Sequence, residues 1–398
     1  MDARSPTPDW HARLLTLQAG LAALAEYWRP APFRERRPDW CATHPALATA
    51  VLGLDDAALE ALAADPTAAQ AWLTPQLPAL TELAALTELP ALPTRTLPRW
   101  PARADSGIPG RKAAQIEAFV AAMPPASTPV LDWCAGKGHL GRRVALADGV
   151  GLTMLERDPA LATEAARLAT RVGLSATVEV ADACTPAALA RVAGRTVLAL
   201  HACGELHRGL VRGAAAYRAA AYRIAPCCYP LAAGPRYQPL SRVATLDLDA
   251  SALKLAVTET VTAPLHDRRR LAREQALKLG YLALHSALNG RAPTRLKPVP
   301  PAWLQADFQD GARQLAAREG LQLPTTLDWA HWQAEGERRR GEVRRLELVR
   351  QAFRRALEVW LVLDLAVALT EAGYAVRLGP FCARTLSPRN LLLLADRA

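Results

Sequence analysis

An apolar run at residues 130–133 leads into a glycine-rich segment, which is followed by the pattern of a helix. The segment contains Gly136, Gly138 and Gly141. Glycine tolerates positive φ and carries no Cβ, so the backbone of such a turn is able to approach a bound nucleotide closely. A strand, a glycine turn and a helix are the parts of a cofactor site. Ordinary tight turns show the same spacing, so the other segments of the chain are needed to distinguish a cofactor site from an ordinary turn.

Strand and helix patterns alternate over short connections after the glycine turn. Apolar runs predict four more strands, at 151–156, 176–182, 196–201 and 221–228, with intervening helices at 160–172 and 186–193. Near the end of the chain, two apolar runs separated by a loop predict an antiparallel hairpin, with strands at 374–378 and 391–395. Alternation of this kind is typical of a parallel sheet. We therefore predict an α/β fold with a doubly wound sheet that the hairpin completes.

Helical patterns lie on both sides of this alternation. Between residues 10 and 83, apolar residues recur at three- and four-residue steps, which predicts a small helical domain. Prolines break regular structure between 89 and 109, where we place a linker. Helical patterns return after 229, with strong helices predicted over 268–285 and 341–372. The predicted division is a helical domain with the linker (1–100), a cofactor-binding core (101–230), a helical insertion that binds substrate (231–372) and the hairpin (373–398).

The formal net charge of +10 favours an anionic partner such as RNA, because a basic surface raises the local concentration of polyanions. Arginines concentrate around the predicted helix 341–372. This region is either a solvated helix face or an RNA-binding surface. Its members are Arg338, Arg339, Arg340, Arg344, Arg345, Arg350, Arg354 and Arg355.

Neither a membrane span nor secretion is expected. The apolar stretch 359–369 is too short to cross a bilayer and contains Asp364. The first eight residues lack the apolar segment of a secretory signal. The seven cysteines are scattered and odd in number, without the spacing of a disulfide framework or a zinc finger. We expect a cytoplasmic protein.

Polar residues stand where the predicted strands end, and a doubly wound sheet binds its ligands beyond these carboxyl ends. Asp132 precedes the glycine turn, Glu156 ends the second strand and Asp182 ends the third. Glu156 has the spacing of an acid that accepts hydrogen bonds from both ribose hydroxyls. Asp182 is placed to bind an adenine amino group, with a structural cap as the alternative. The helix predicted before the first strand carries Lys112 and Gln115, either near the cofactor or on a solvated helix start.

Several motifs together resemble the class I methyltransferases of the methyltransferase-like 25 group. They are DWCAGKGHLG at 132–141, LHACG at 200–204, CCY at 227–229, SPRNLLLLA at 387–395 and THPAL at 43–47. The chain more distantly resembles the tRNA 2′-O-methyltransferase that modifies the acceptor stem, although the Cys- and His-rich fingers ahead of that enzyme's domain have no counterpart in this N-terminal helical region. The resemblance implies a Rossmann-like sheet and S-adenosylmethionine (SAM) as cofactor. The cofactor-binding residues are then Asp132, Ala135, Gly136, Gly138, Glu156 and Asp182, with Lys112 and Gln115 at the mouth of the site.

Methyl transfer to a hydroxyl or an amine requires in-line positioning and the removal of a proton. The candidates for the second role are His201, Glu205 and Tyr229. His201 has a solution pKa near neutrality, so it is suited to act as the base or to bind the substrate. The alternative is a histidine that only bonds to backbone at the end of a strand.

Cysteines cluster at the predicted ends of the fourth and fifth strands. Cys203, Cys227 and Cys228 have two interpretations, a metal site together with His201 or small side chains that allow close packing. We predict packing and no metal. A covalent Cys227 nucleophile is a further, less favoured alternative. Lys137 either contacts the methionine carboxylate or an RNA phosphate, or faces solvent.

The sequence therefore predicts a SAM-dependent methyltransferase that acts on RNA, either tRNA or rRNA, through its Arg-rich helical regions. A methyltransferase for proteins or small molecules, or an assembly factor that binds SAM or RNA without catalysis, are the alternatives. A nicotinamide-dependent oxidoreductase fits less well, because dinucleotide sites rarely carry an acid at the position of Asp132.

Overall fold

The chain divides into two compact units in a computed structural model, which describes residues 8–101, 104, 107–231, 234–258, 265–290 and 296–398. The first unit comprises the chain up to Ala22 together with Leu83–Val257 and Arg355–Ala398. The second comprises Ala23–Glu82 and Thr258–Arg354. Each unit is thus assembled from separated stretches of sequence. The four-part division of the chain stays a prediction, and the first seven residues, which bear on the secretory signal, lie outside the described residues.

Helices precede the first strand. They are α1 (Trp10–Ala23), α2 (Ala25–Trp28), α3 (Trp40–Thr43), α4 (Pro45–Leu52), α5 (Asp56–Ala64), α6 (Pro66–Leu73), α7 (Ala79–Thr87) and α8 (Gly110–Ala122). The alternating part contains β1 (Val130–Trp133), α9 (His139–Asp148), β2 (Leu152–Glu156), α10 (Pro159–Arg171), β3 (Ala176–Val180), α11 (Pro186–Ala190), β4 (Thr196–Leu200), α12 (Glu205–Arg212), α13 (Ala214–Tyr217) and β5 (Ala221–Ala225).

The remaining elements are mostly helical. They are α14 (Ala250–Val257), α15 (Leu265–Asn289), a 3₁₀ helix (Pro301–Leu304), α16 (Phe308–Glu319), α17 (Trp329–Gln351), α18 (Arg354–Glu371), β6 (Tyr374–Pro380) and β7 (Leu391–Arg397). None of the helices in the described ranges is long and apolar enough to cross a membrane. The cytoplasmic location stays a prediction.

The first unit contains a sheet of seven described strands in the order β3-β2-β1-β4-β5-β7-β6. β1 to β5 pair in parallel, and β7 pairs antiparallel with both β5 and β6. This arrangement confirms the predicted α/β class and the closing hairpin. The strand order reverses between β1 and β4, and ligands of doubly wound sheets bind at the carboxyl ends of the strands beside such a switch point.

The core of the first unit follows from the apolar pattern of its elements. Phe119 of α8, Val144 of α9 and Met154 of β2 are fully buried in one hydrophobic cluster, which also contains Leu392 and Leu394 of β7. The two leucines are two positions apart in the strand, so their side chains point to the same face of the sheet. The core therefore joins the hairpin at the end of the chain to helices that lie more than 200 residues earlier.

The proline-rich connection has no helix or strand between residues 88 and 101, as predicted. It is nevertheless anchored to the first unit by Arg95. The guanidinium of Arg95 donates to both carboxylate oxygens of Asp148, at 2.6 and 3.0 Å, and to the carbonyl of Met123. Paired hydrogen bonds of this kind add geometric specificity to the ion pair. The segment is therefore held against α8 and α9 rather than only linking two parts of the chain.

Two glycines allow close packing of α15 and α17 in the second unit. A Cβ on Gly336 would lie 2.4 Å from the Ala276 carbonyl oxygen, and one on Gly280 would lie 2.6 Å from the Trp332 carbonyl oxygen. Real Cβ atoms do not approach this closely, so only glycine fits at these positions. The long helix predicted at 268–285 is present as α15 and is extended at both ends.

The single helix predicted over 341–372 is wrong, because residues 352–353 separate α17 from α18. No glycine or proline marks this break in the sequence. Phe353 is fully buried, and its ring stacks on Tyr27 with centroids 6.4 Å apart and the ring planes 3° from parallel. Its amide bonds to the Arg350 carbonyl, a tighter turn than an α-helix makes. Tertiary packing therefore overrides a continuous local helix pattern.

The Arg-rich region is largely bonded within the protein. Arg345 donates to the Leu54 carbonyl and to Asp56, and Arg344 donates to Glu60. Arg339 is buried and pairs with Glu342. Acidic side chains or carbonyls likewise accept hydrogen bonds from Arg338, Arg340, Arg350, Arg354 and Arg355. The positive charge of this region is therefore compensated to a large extent.

Candidate cofactor and catalytic site

The turn after β1 contains two glycines with positive φ, Gly136 at 56° and Gly138 at 67°. A Cβ on Gly138 would lie 2.1 Å from the Met154 Sδ atom, so packing requires glycine there. A Cβ on Gly136 would meet nothing within 4 Å. The backbone at Gly136 therefore borders open space, where a ligand is able to approach it.

Asp132 is buried and holds the first turn of α9. Its Oδ2 accepts a hydrogen bond of 2.8 Å from the Gly141 amide, and a Cβ on Gly141 would lie 2.8 Å from the Asp132 Cβ. Burial raises the pKa of the Asp132 carboxyl to about 7, against the lowering effects of the Gly141 hydrogen bond and the Lys112 charge. Asp132 thus sets the geometry of the turn from within the core.

Glu156 lies beside the turn at the end of β2. Its Oε2 accepts from the Gly136 amide at 2.8 Å, and its Oε1 accepts from the Asp158 amide at 2.9 Å. Each carboxylate oxygen keeps a lone pair for a further donor. Ala135 donates to the Leu155 carbonyl at 2.9 Å and so ties the same turn to β2. The structure therefore brings the predicted cofactor residues at positions 135, 136, 138 and 156 together.

Asp182 stands apart from this group. It is exposed after β3, and its Oδ1 accepts a hydrogen bond of 2.9 Å from the Cys184 amide. This bond makes a local turn, which is the structural alternative expected from the sequence. No hydrogen bond among the described residues joins Asp182 to the glycine turn. The Ala181 amide, one residue earlier, donates to the Glu156 carbonyl at 3.0 Å and keeps the two strand ends adjacent.

His201 follows β4 and is joined to Gln115 of α8. The His201 Nε2 lies 3.3 Å from the Gln115 Oε1, and the Gln115 amide nitrogen donates to the Leu386 carbonyl at 3.1 Å. Because the Gln115 oxygen only accepts, Nε2 of His201 carries the proton and Nδ1 presents a lone pair. Partial desolvation and then the Lys112 charge lower the pKa of His201. The imidazole is therefore neutral at pH 7 and has an acceptor nitrogen.

Glu205 and Tyr229 are not hydrogen-bonded to His201. Both oxygens of Glu205 are occupied, Oε1 by Arg208 at 2.5 Å and Oε2 by Arg212 at 2.7 Å. Burial alone would raise the pKa of Glu205, but the Arg212 hydrogen bond and the Arg208 charge lower it. Tyr229 is buried, its hydroxyl has no hydrogen-bond partner among the described residues, and burial raises its pKa well above 10.

Backbone strain concentrates at these strand ends. Positive φ occurs at Cys134 after β1, at His201 after β4 and at Cys228 after β5, with values of 59°, 62° and 49°. Side chains other than glycine rarely adopt this conformation, and strained backbone is common at functional sites. The sequence does not reveal these angles, because no glycine marks them.

Arg389 is a residue near the site to which the sequence assigned no role. Its guanidinium donates to the Ala256 carbonyl at 3.0 Å, to the Val257 carbonyl and to buried Glu358 at 2.8 Å. A hydrogen bond with Cys227 lowers the pKa of the Cys228 thiol to about 6, and the Arg389 charge acts in the same direction. The feature of the sequence that points to Arg389 is its position inside the SPRN motif at 387–390.

Comparison of the sequence with known families identifies one domain of the chain. Residues 111–234 match the family model of a methyltransferase domain. No curated protein and no solved structure matches the chain. The matched region runs from α8 to the segment after β5, so it contains the glycine turn, Glu156 and His201. The protein therefore carries a methyltransferase domain and is a SAM-dependent methyltransferase.

Proposed function

We propose that SAM binds against the glycine turn, at the carboxyl ends of β1 and β2, and that its methyl group is transferred in the space between this turn and His201. The observation that carries the proposal is the hydrogen bond from the Gly136 amide to Glu156 beside open space. A bulky ligand fits there because Gly136 has no side chain. SAM supplies a methyl group activated on a sulfonium.

The chain's own residues have distinct roles in this proposal. Glu156 is already fixed by two backbone amides and accepts hydrogen bonds from the ribose hydroxyls with its remaining lone pairs. Asp182 is exposed at the end of β3, and its carboxylate is the proposed acceptor for the adenine amino group. Lys112 adds positive charge near the acidic residues of the turn.

His201 is the proton acceptor in this proposal. Its Nδ1 is free to accept a proton because Nε2 donates to Gln115. A lowered pKa keeps the imidazole neutral and therefore competent as a base at neutral pH. Glu205 is less suited, since two guanidinium groups occupy its oxygens. Tyr229 is less suited as well, because a phenol with a raised pKa releases its proton reluctantly.

RNA is the proposed substrate class. The net charge of +10 supports it, as do the exposed side chains of Lys112, Lys137 and Arg157, which have no acidic partner within the described part of the chain. Lys112 and Lys137 both act electrostatically on His139 in the turn, so their charges lie near the proposed cofactor. These unpaired cations support RNA binding more directly than the compensated arginines of α17. Membership of the methyltransferase-like 25 group is part of the same proposal and rests on the motifs at 132–141, 200–204 and 227–229.

Calorimetry with SAM tests the cofactor site. The full chain should bind about one equivalent, and Glu156→Ala should weaken binding by roughly 100-fold, because two charge-assisted hydrogen bonds are worth about 3 kcal/mol. Glu60→Ala is the control, since Glu60 is an exposed glutamate of α5, outside the matched domain, that pairs with Arg344. Unchanged affinity in Glu156→Ala would contradict the proposed site.

Methyl transfer from labelled SAM to total RNA or to protein extract tests the substrate. RNA should acquire the label, and RNA binding should weaken as salt increases because phosphate contacts release counterions. Lys112→Ala and Lys137→Ala should each lower the slope of log affinity against log salt by roughly 0.7 to 0.9. Lys297→Ala serves as a control at an exposed lysine elsewhere in the chain. Label only in protein, or no label despite tight SAM binding, would favour the alternative functions.

A further inference from the structure

Three thiols form a cluster at the ends of β4 and β5. The sulfur atoms of Cys203, Cys227 and Cys228 all lie within 4.8 Å of one another, and those of Cys203 and Cys227 are 3.5 Å apart. In the part of the chain that the structure describes, no other group of His, Cys, Asp or Glu side chains converges in this way. The three cysteines are all free thiols. Their function is not explained by the methyl transfer proposed above.

The backbone holds the two loops of this cluster together. The Gly204 amide donates to the Cys227 carbonyl at 3.1 Å. A Cβ on Gly204 would lie 2.0 Å from the Leu231 carbonyl oxygen, so only glycine permits this approach. Cys228 has a φ of 49°, a left-handed conformation that is unfavourable for any residue except glycine. The surrounding structure therefore imposes the convergence of the thiols at an energetic cost.

The spacing suits a metal ion that prefers sulfur. Thiolates bind Zn²⁺ at about 2.3 Å, which places neighbouring sulfurs in a tetrahedral site about 3.8 Å apart. A disulfide instead requires a sulfur separation of about 2.05 Å. The observed 3.5 Å between Cys203 and Cys227 is much nearer to the spacing of a metal site.

We propose that Cys203, Cys227 and Cys228 bind a thiophilic divalent cation, Zn²⁺, with a fourth position open to solvent. Cys228 is exposed, whereas Cys227 is 2% exposed, so the site has one open side and one closed side. The group includes no fourth His, Cys, Asp or Glu ligand among the described residues. Three protein ligands with one open position are typical of zinc sites that exchange a ligand.

Charge and proton balance are consistent with this site. Zn²⁺ binds the three cysteines as thiolates, so any proton that a thiol still carries goes to solvent, and the resulting complex has one negative charge. Arg389 provides a nearby positive charge, since it acts electrostatically on Cys228 and is fixed by three hydrogen-bond acceptors. The Cys203 thiol donates to the His201 carbonyl at 3.4 Å. Loss of that proton would link metal binding to the loop that carries His201.

Titration of the reduced full chain with Co²⁺, and then displacement by Zn²⁺, tests the proposal. One equivalent should bind and produce thiolate-to-cobalt charge-transfer absorption, which Zn²⁺ abolishes. Cys228→Ser and Cys203→Ser should each weaken binding by more than about 100-fold, because even the partners of metal ligands contribute 10- to 100-fold. Cys184→Ser and Cys41→Ser are controls, since both cysteines lie outside the cluster.

Thermal melting of each variant, followed by circular dichroism, identifies any variant that fails to fold. Cys228 is exposed, so its replacement by serine should disturb folding least. No stoichiometric absorption in the wild-type chain, or equal binding in Cys228→Ser and Cys184→Ser, would overturn the proposal. The metal site and the SAM site are tested independently, because Glu156→Ala should leave Co²⁺ binding unchanged.

Discussion

Replacement of Gly136 by alanine tests the cofactor site without disturbing the packing of the glycine turn. Gly136 and Gly149 have similar φ angles, 56° and 66°, and a Cβ on either meets nothing within 4 Å. A left-handed conformation costs alanine roughly 1–2 kcal/mol, and the reduced entropy of the unfolded chain returns about 0.4–1 kcal/mol. Gly136→Ala and Gly149→Ala should therefore each lower the free energy of unfolding by about 1 kcal/mol.

Gly138→Ala should be more destabilising than either of these variants. It has the same backbone cost, and its Cβ would overlap the Met154 Sδ at 2.1 Å, so a fully buried core side chain has to move. Overpacking of this kind adds roughly 1–3 kcal/mol. Urea denaturation, monitored by circular dichroism, measures the order of stability of the three variants. Gly136→Ala and Gly149→Ala should be equally stable, and Gly138→Ala should be the least stable.

SAM affinity should follow a different order from stability. Gly136→Ala places a methyl group in the space proposed for the cofactor and should weaken SAM binding by at least 100-fold, or about 2.7 kcal/mol. Gly149→Ala, at the end of α9, should bind SAM like the wild-type chain. Calorimetry on the three variants measures this. Equal SAM affinity of Gly136→Ala and Gly149→Ala would refute the reasoning, because the cofactor would then not lie against the turn.

Three further predictions concern buried or titrating groups. Asp132 releases its proton near pH 3.8 in the unfolded chain and near pH 7 in the folded chain, so its contribution to stability should decline as the pH rises across this window. Denaturation titrations should therefore show that the stability of the wild-type chain falls relative to that of Asp132→Asn between these pH values. Asp364 is fully buried and accepts hydrogen bonds from the Tyr237 hydroxyl and from the backbone and side chain of Ser241. Asp364→Ala should lower the free energy of unfolding by on the order of 4 kcal/mol, measured in urea, because several buried donors lose their acceptor. Since the pKa of His201 is lowered below 6.5, the single-turnover rate of methyl transfer should fall on acidification with a midpoint below pH 6.5, and a midpoint above pH 7 would exclude His201 as the base.

The sequence predicts much of the sheet because strands and their ends have local signals. The apolar runs at 130–133 and 196–201 are strands with the expected direction, and Asp158 caps α10 by accepting from the Ala160 amide at 2.8 Å. The spacing of Glu156 predicts an acid that binds the ribose hydroxyls, and in the structure its Oε2 accepts a hydrogen bond of 2.8 Å from the Gly136 amide. Short-range patterns are sufficient for such features, since the residues involved belong to the same strand–turn–helix unit.

Contacts between distant residues have no such signal. His201 meets Gln115 across 86 positions, and Cys203 meets Cys227 across 24. Sequence alone therefore determined the α/β alternation, the glycine turn and the acidic strand ends, because these depend on local periodicity and spacing. Tertiary structure decided which side chains meet at the strand ends, which arginines are compensated and where the helix breaks before Phe353, because burial and pairing depend on neighbours that the chain brings together only on folding.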